Sequence, residues 1–138
     1  MLDTTTPAGR RAAERLRDEI IAWLVTVRAD GQPQPSPVWF LWQDPDIVVY
    51  SRPETAKLRN LAANPRVALH LDGNGQGGEV VILEGTAEVD PSLGPADASP
   101  EYVARYSDAI ARNGWSPASF AADYSVGVRI RIGRTRVW

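Results

Sequence analysis

The chain has 138 residues, with 15 basic and 17 acidic side chains, a formal net charge of −2, one histidine and no cysteine. That length suits one domain able to bury about two thirds of its unfolded surface without staples. The composition excludes disulfides, thiolate metal sites, cysteine nucleophiles and multi-histidine zinc sites, and leaves a Ser-His-Asp triad only His70 to work with.

Residues 1–9 are expected to be disordered, and residues 10–138 to form a single domain. The N-terminal stretch is polar and has no signal-peptide core. A helix is predicted over 10–23, where Ala13, Leu16, Ile20 and Trp23 recur at helical spacing. WLVTV reads as a strand, Asp30-Gly31 as a hairpin turn, and residues 34–42 as a second strand. DIVVYS is a third strand. A helix from Pro53 to Ala63 follows, with Ser51 and Glu54 as its S-x-x-E capping box and Asn64-Pro65 as its stop. VALHL is a fourth strand, and GEVVILEGTAEVD a fifth with Gly85 as a bulge. Residues 91–100 read as a linker, 101–112 as a helix closed by Asn113-Gly114, and 124–132 as a last strand that TRVW extends. Six short strands joined mainly by hairpins predict a mainly β (α+β) fold: a six-stranded antiparallel barrel with accessory helices.

Several motifs have ordinary structural readings. GNGQGG at 73–78 has the spacing of a dinucleotide fingerprint, but a strand follows where a helix is required, so it reads as a hairpin loop. His70 shares a strand face with Ala68, opposite Val67, Leu69 and Leu71. Asp44 and Asp46 flank a turn proline. Arg129, Arg131, Arg134 and Arg136 read as a solvated face, or as a surface for an anion or a partner subunit. In PVWFLW, Val38, Phe40 and Trp42 take one face, and Pro37, Trp39 and Leu41 the other. Both faces are apolar, so both are expected to be covered.

Lys57 is the only lysine; the other 14 basic residues are arginine. It falls in the first turn of the helix that follows DIVVYS. A helix N-terminus offers free N–H groups and a positive dipole. Ser51 and Thr55 add hydroxyls, Arg52 a fork and Lys57 a point charge. This combination beside an apolar strand suits a cofactor with a flat ring and a phosphate tail.

Three stretches, WLVTVRADGQPQPSPVWF, IVVYSRPETAKLRNLAANPRVAL and EGTAEVD, resemble in order the split β-barrel proteins of the pyridoxamine 5'-phosphate oxidase-like (PPOX) class. Within it, the chain most resembles the actinobacterial subgroup that uses the deazaflavin coenzyme F420. The polar N-terminus and the lack of a membrane-length apolar run lead us to expect a soluble cytoplasmic protein, and the resemblance implies the FMN-binding-split-barrel-like fold and a homodimer with two cofactor sites at the interface. It implies that Ser51, Arg52, Thr55 and Lys57 hold the cofactor phosphate, and that Ser36, Pro37, Val38 and Trp39 line the ring. The C-terminal arginines or Trp115 would complete the site from the partner chain. Flavin-phosphate oxidases of this class carry a basic residue in the second strand, which QPSPVWFLW lacks, favouring F420 over FMN.

The implied activity is an F420-dependent oxidoreductase transferring hydride between the reduced cofactor and a small conjugated substrate, with no assignable catalytic side chain and no metal. Two alternatives stay open: an FMN flavoprotein oxidoreductase of the same fold, and a non-catalytic protein carrying a cofactor, haem or tetrapyrrole, with His70 as the haem-ligand candidate. The weak negative charge gives no reason to expect nucleic acid, and no apolar run reaches a membrane span.

Overall fold

Helix α1 (Pro7–Asp18) opens the chain in the computed structural model, which describes residues 1–138. The Thr6 hydroxyl accepts the Gly9 backbone N–H, and Pro7 takes the first helical position, where a missing N–H costs nothing. The helix therefore starts before the expected Arg10. It ends before Ile20 and Trp23, because the backbone at Glu19 is already extended. Leu2 is buried in the core, so the segment 1–9 is in contact with the rest of the molecule.

Seven strands form one antiparallel sheet: β1 (Ala22–Val27), β2 (Pro33–Val38), β3 (Leu41–Gln43), β4 (Asp46–Ser51), β5 (Arg66–His70), β6 (Val81–Val89) and β7 (Val126–Val137). Their order is β2-β1-β5-β6-β7-β4-β3. The six-strand expectation is corrected here, because the predicted strand 34–42 is two strands on opposite edges of the sheet. Only Trp39 and Phe40 join them, and three Cα–Cα steps span at most about 11 Å. The two edges must therefore lie close together, and the sheet curls into a half-barrel.

The break at Phe40 leaves its backbone groups without strand partners. A side chain replaces them: Phe40 N–H donates to the Tyr106 hydroxyl at 2.8 Å, and that hydroxyl lies 2.9 Å from both the Phe40 and the Ile20 carbonyls. Tyr106 belongs to α3 (Pro100–Arg112), so nothing local in PVWFLW signals the break.

Two apolar clusters cover the two faces of β4. Ile47 and Val49 join Leu16, Leu24, Phe40, Leu69 and Ile130 inside the barrel. Val48 and Tyr50 join Leu41, Tyr102, Tyr106, Ile110 and Phe120 beneath α3 and α4 (Pro117–Asp123). The alternation expected for PVWFLW holds across the break: Val38 and Phe40 face the barrel, while Trp39 and Leu41 face the helical layer. That second face is covered by the chain's own helices.

Helix α2 (Ala56–Ala63) starts later than expected, with Thr55 rather than Ser51 as its N-cap. The Ser51–Glu54 capping box does not form, because Glu54 has φ 63°, outside helical geometry. The bulge is where it was expected: the β6–β7 register shifts between Glu84 and Gly85, and a Cβ on Gly85 would meet the Arg131 carbonyl oxygen at 2.0 Å. Residues 73–78 form a loop followed by β6, not by a helix. β7 runs on through Thr135 and Arg136 to Val137. No helix is long and apolar enough to cross a membrane.

Candidate functional site

The ends of β2 and β4, the start of α2 and the helices α3 and α4 converge on one cleft of about 170 Å³. Pro37, Val38 and Trp39 come from β2 and the break after it, Tyr50 and Ser51 from the end of β4, and Lys57 from the first turn of α2. Tyr102, Trp115, Phe120 and Tyr124 supply an aromatic wall, and Ile21 completes the lining. Trp39 stacks on Tyr106 at 4.8 Å and on Phe120 at 5.2 Å; Phe120 stacks on Tyr124 at 4.6 Å. Such ring-on-ring packing fixes a flat apolar surface.

A second cleft of about 200 Å³ meets the first at Lys57. It is polar, lined by Thr26, Gln34, Ser36 and Asn60 with Pro35 and Ala56. The buried Asn60 side chain donates to the Thr26 hydroxyl and to Gln34 Oε1, both at 2.9 Å, which fixes α2 against β1 and β2.

Lys57 is half-buried between the two clefts and forms no ion pair; the acidic partners in the molecule all serve arginines. Burial lowers its pKa below the ordinary lysine value. Thr55 makes no side-chain capping bond, so the first-turn N–H groups of α2, beside Lys57, have no cap side chain to donate to. The buried Ser51 hydroxyl donates to the Arg52 carbonyl at 2.8 Å, so at the 3.0 Å contact with Thr55 it is the Thr55 hydroxyl that donates. Arg52 is exposed, with its guanidinium 4.9 Å above the Tyr124 ring.

Of the residues singled out in the sequence, Pro37, Val38, Trp39 and Ser51 line the first cleft, Ser36 the second and Lys57 both, while Thr55 and Arg52 line neither and adjoin through the Ser51 hydroxyl and the Tyr124 ring. The one proton of the Ser51 hydroxyl is engaged at the Arg52 carbonyl. Trp115 lines the cleft of its own chain. Sequence reasoning missed Tyr50, Tyr102, Phe120 and Tyr124. Tyr102 and Tyr106, four residues apart in the predicted helix 101–112, share one of its faces, but nothing local marks it as the face that meets β4.

The other sequence candidates lie elsewhere. His70 is on β5, across from Trp23 and Ile82, with Nδ1 3.1 Å from the Leu71 carbonyl oxygen. Arg129 pairs with Asp46 at 3.0 Å and Asp90 at 2.8 Å, Arg131 with Glu88, and Arg136 with Glu84. Asp46 therefore holds a strand pair together, and the arginine series is largely neutralised by its own chain.

A curled antiparallel sheet, a strand that crosses between its edges and an unpaired lysine beside an aromatic cleft frame the comparison with known proteins. The family model described as pyridoxamine 5'-phosphate oxidase matches residues 9–138. The chain belongs to that family.

Among curated proteins, no relative matches. Solved structures do. The conserved hypothetical protein Rv2991 from Mycobacterium tuberculosis is 25% identical with a TM-score of 0.72, over 94% of this chain and 82% of that one. An F420 reductase is 24% identical with a TM-score of 0.65, over 89% and 94%. The haem storage protein HutZ from Vibrio cholerae is 16% identical with a TM-score of 0.65, over 96% and 95%. One fold thus serves proteins with different ligands, and the site has to decide between them.

Proposed function

We propose that this protein is an oxidoreductase that binds the deazaflavin F420 and uses it to reduce a small conjugated substrate. The observation that carries the reading is Lys57: a half-buried cation without a counter-ion, at an uncapped helix start, between an aromatic cleft and a polar one. An unpaired cation in that position calls for an anion, and the apolar Pro37–Trp39 edge of the cleft calls for a ring that borders it, leaving the aromatic wall to the substrate. A planar cofactor with a phosphate offers both. The F420 reductase of the same fold supports the deazaflavin, as does the lack of any basic residue in β2.

Lys57, the α2 N-terminus and Arg52 would hold the phosphate. Pro37, Val38 and Trp39 would border the ring, and the polar cleft would take the more hydrophilic part of the tail. The bound cofactor would supply hydride chemistry. The chain's part is to bind, to orient and to exclude water with its aromatic wall.

A cleft of about 170 Å³ is smaller than the roughly 300 Å³ at which ordinary ligand sites begin. It accommodates part of a cofactor–substrate pair, which supports a homodimer in which the second copy closes the site.

The test is a pair of fluorescence titrations of the purified protein, one with F420 and one with FMN. Tighter binding of F420 supports the proposal. Preference for FMN moves the chain to the flavoprotein reading. The haem reading has less support, because His70 lies outside both clefts.

A further inference from the structure

Two buried side-chain polar atoms have no hydrogen-bond partner: Arg105 Nε and the Tyr102 hydroxyl. The first has a local explanation. The remaining guanidinium nitrogens of Arg105 donate to the Leu16 and Glu19 carbonyls, and the group lies 4.5 Å above the Phe40 ring. The second has none. Tyr102 is 1% exposed, edge-on to Tyr50 at 5.0 Å and 4.9 Å from the ring of Tyr106. Tyr106, one turn along α3, has its hydroxyl fully employed at the Phe40 break.

A buried hydroxyl without a partner is destabilising, and phenylalanine would pack the same ring without that cost. Tyr102 is also part of the wall of the aromatic cleft. We infer that the Tyr102 hydroxyl is the polar anchor of this cleft, donating a hydrogen bond to the carbonyl oxygen of a one-ring planar substrate, and so determines specificity. The inference rests on the reading of the cleft as the substrate side of a hydride-transfer site.

Size agrees: about 170 Å³ is close to the roughly 150 Å³ cavity known to take up benzene. Chemistry agrees as well. Burial raises the Tyr102 pKa above the ordinary tyrosine value, so the group is a neutral donor throughout the working pH range. A donor at a carbonyl oxygen draws electron density from the conjugated system, and it strengthens as negative charge builds on that oxygen.

The experiment uses acetophenone and its near-isostere ethylbenzene, which lacks the oxygen. Affinities for wild type and Tyr102→Phe are read from the indole N–H resonances of Trp39 and Trp115. The expected result is a loss of about fivefold for acetophenone in Tyr102→Phe, with ethylbenzene unchanged or tighter. The infrared carbonyl band of acetophenone bound to wild type gives a second reading, and it should shift to lower frequency than in an alkane solvent. Equal effects on both compounds, an unshifted band or no acetophenone binding would overturn the inference. So would a Tyr102→Phe variant that fails to fold, since an unpartnered hydroxyl is not needed for folding.

A parallel F420 titration of wild type separates the two claims. F420 binding without acetophenone discrimination removes Tyr102 and leaves the proposed function standing. Discrimination without F420 binding does the reverse.

Discussion

Trp39 lies flat on Tyr106, with ring centroids 4.8 Å apart and planes 8° from parallel. The pair joins the two parts of the molecule that make the site. Trp39 sits where the chain leaves one edge of the sheet for the other, and Tyr106 satisfies the backbone at that crossing. Tyr106→Phe would keep the stacked ring but leave the buried Phe40 N–H unpaired. The expected cost is about 1–3 kcal/mol. At about 4 °C of Tm per kcal/mol, thermal melts should show it clearly. An unchanged Tm would mean that Tyr106 does not support the break. Tyr102→Phe, on the same helix, should leave Tm unchanged or raise it.

The lowered pKa of Lys57 makes anion binding pH-dependent. The lysine is charged, and affinity is highest, below its value in the free protein, which burial holds beneath the ordinary 10.5. A bound anion retains the proton, so the pKa is higher in the complex. As pH rises between the two values, affinity falls by up to tenfold per unit. F420 titrations across that range should show the fall in wild type and lose it in Lys57→Ala. A flat profile in wild type would remove Lys57 from the phosphate site.

Asp90 closes the network that ties β7 to β4. The Ser92 hydroxyl and then Arg129 hold its carboxyl down to about 2, from an ordinary 3.8. A depressed carboxylate pKa stabilises the fold above about pH 3.8, and that contribution is lost as pH falls toward 2. Stability measured against pH should therefore drop through that window in wild type and drop less in Asp90→Asn. Identical slopes would mean that Asp90 contributes nothing to acid stability.

His70→Ala should leave F420 affinity unchanged, because the imidazole lies on β5 beside Trp23, outside both clefts. A large loss would place a ligand on that face of the sheet. Haem added to the variant and to wild type should give the same absorbance spectrum; a ligand band seen in wild type alone would revive the haem reading.

The parts of this site that were legible in the sequence are those set by local chemistry. A lone lysine one turn into a helix after a strand could be read from IVVYSRPETAK, and so could the two apolar faces of PVWFLW. The Gly85 bulge was also local. The break at Phe40 was not, because its partner is a hydroxyl 66 residues away in α3. The start of α2 was misplaced because S-x-x-E matched a capping box that Glu54, at φ 63°, does not complete. The aromatic wall stayed hidden for a similar reason. Tyr102 and Phe120 are buried core residues on two different helices, and only tertiary packing turns them into the side of a cleft.

The most direct measurement is the F420 dissociation constant of wild type against Lys57→Ala and Lys57→Arg, with folding checked by circular dichroism. The account predicts a loss of about 1.5–3 kcal/mol in Lys57→Ala, the range of a charge-assisted bond. Lys57→Arg should recover only part of it, because a planar fork differs from an ammonium in geometry and reach. Unchanged affinity in a folded Lys57→Ala would contradict the central claim and return Lys57 to being a lysine on the surface of a short helix.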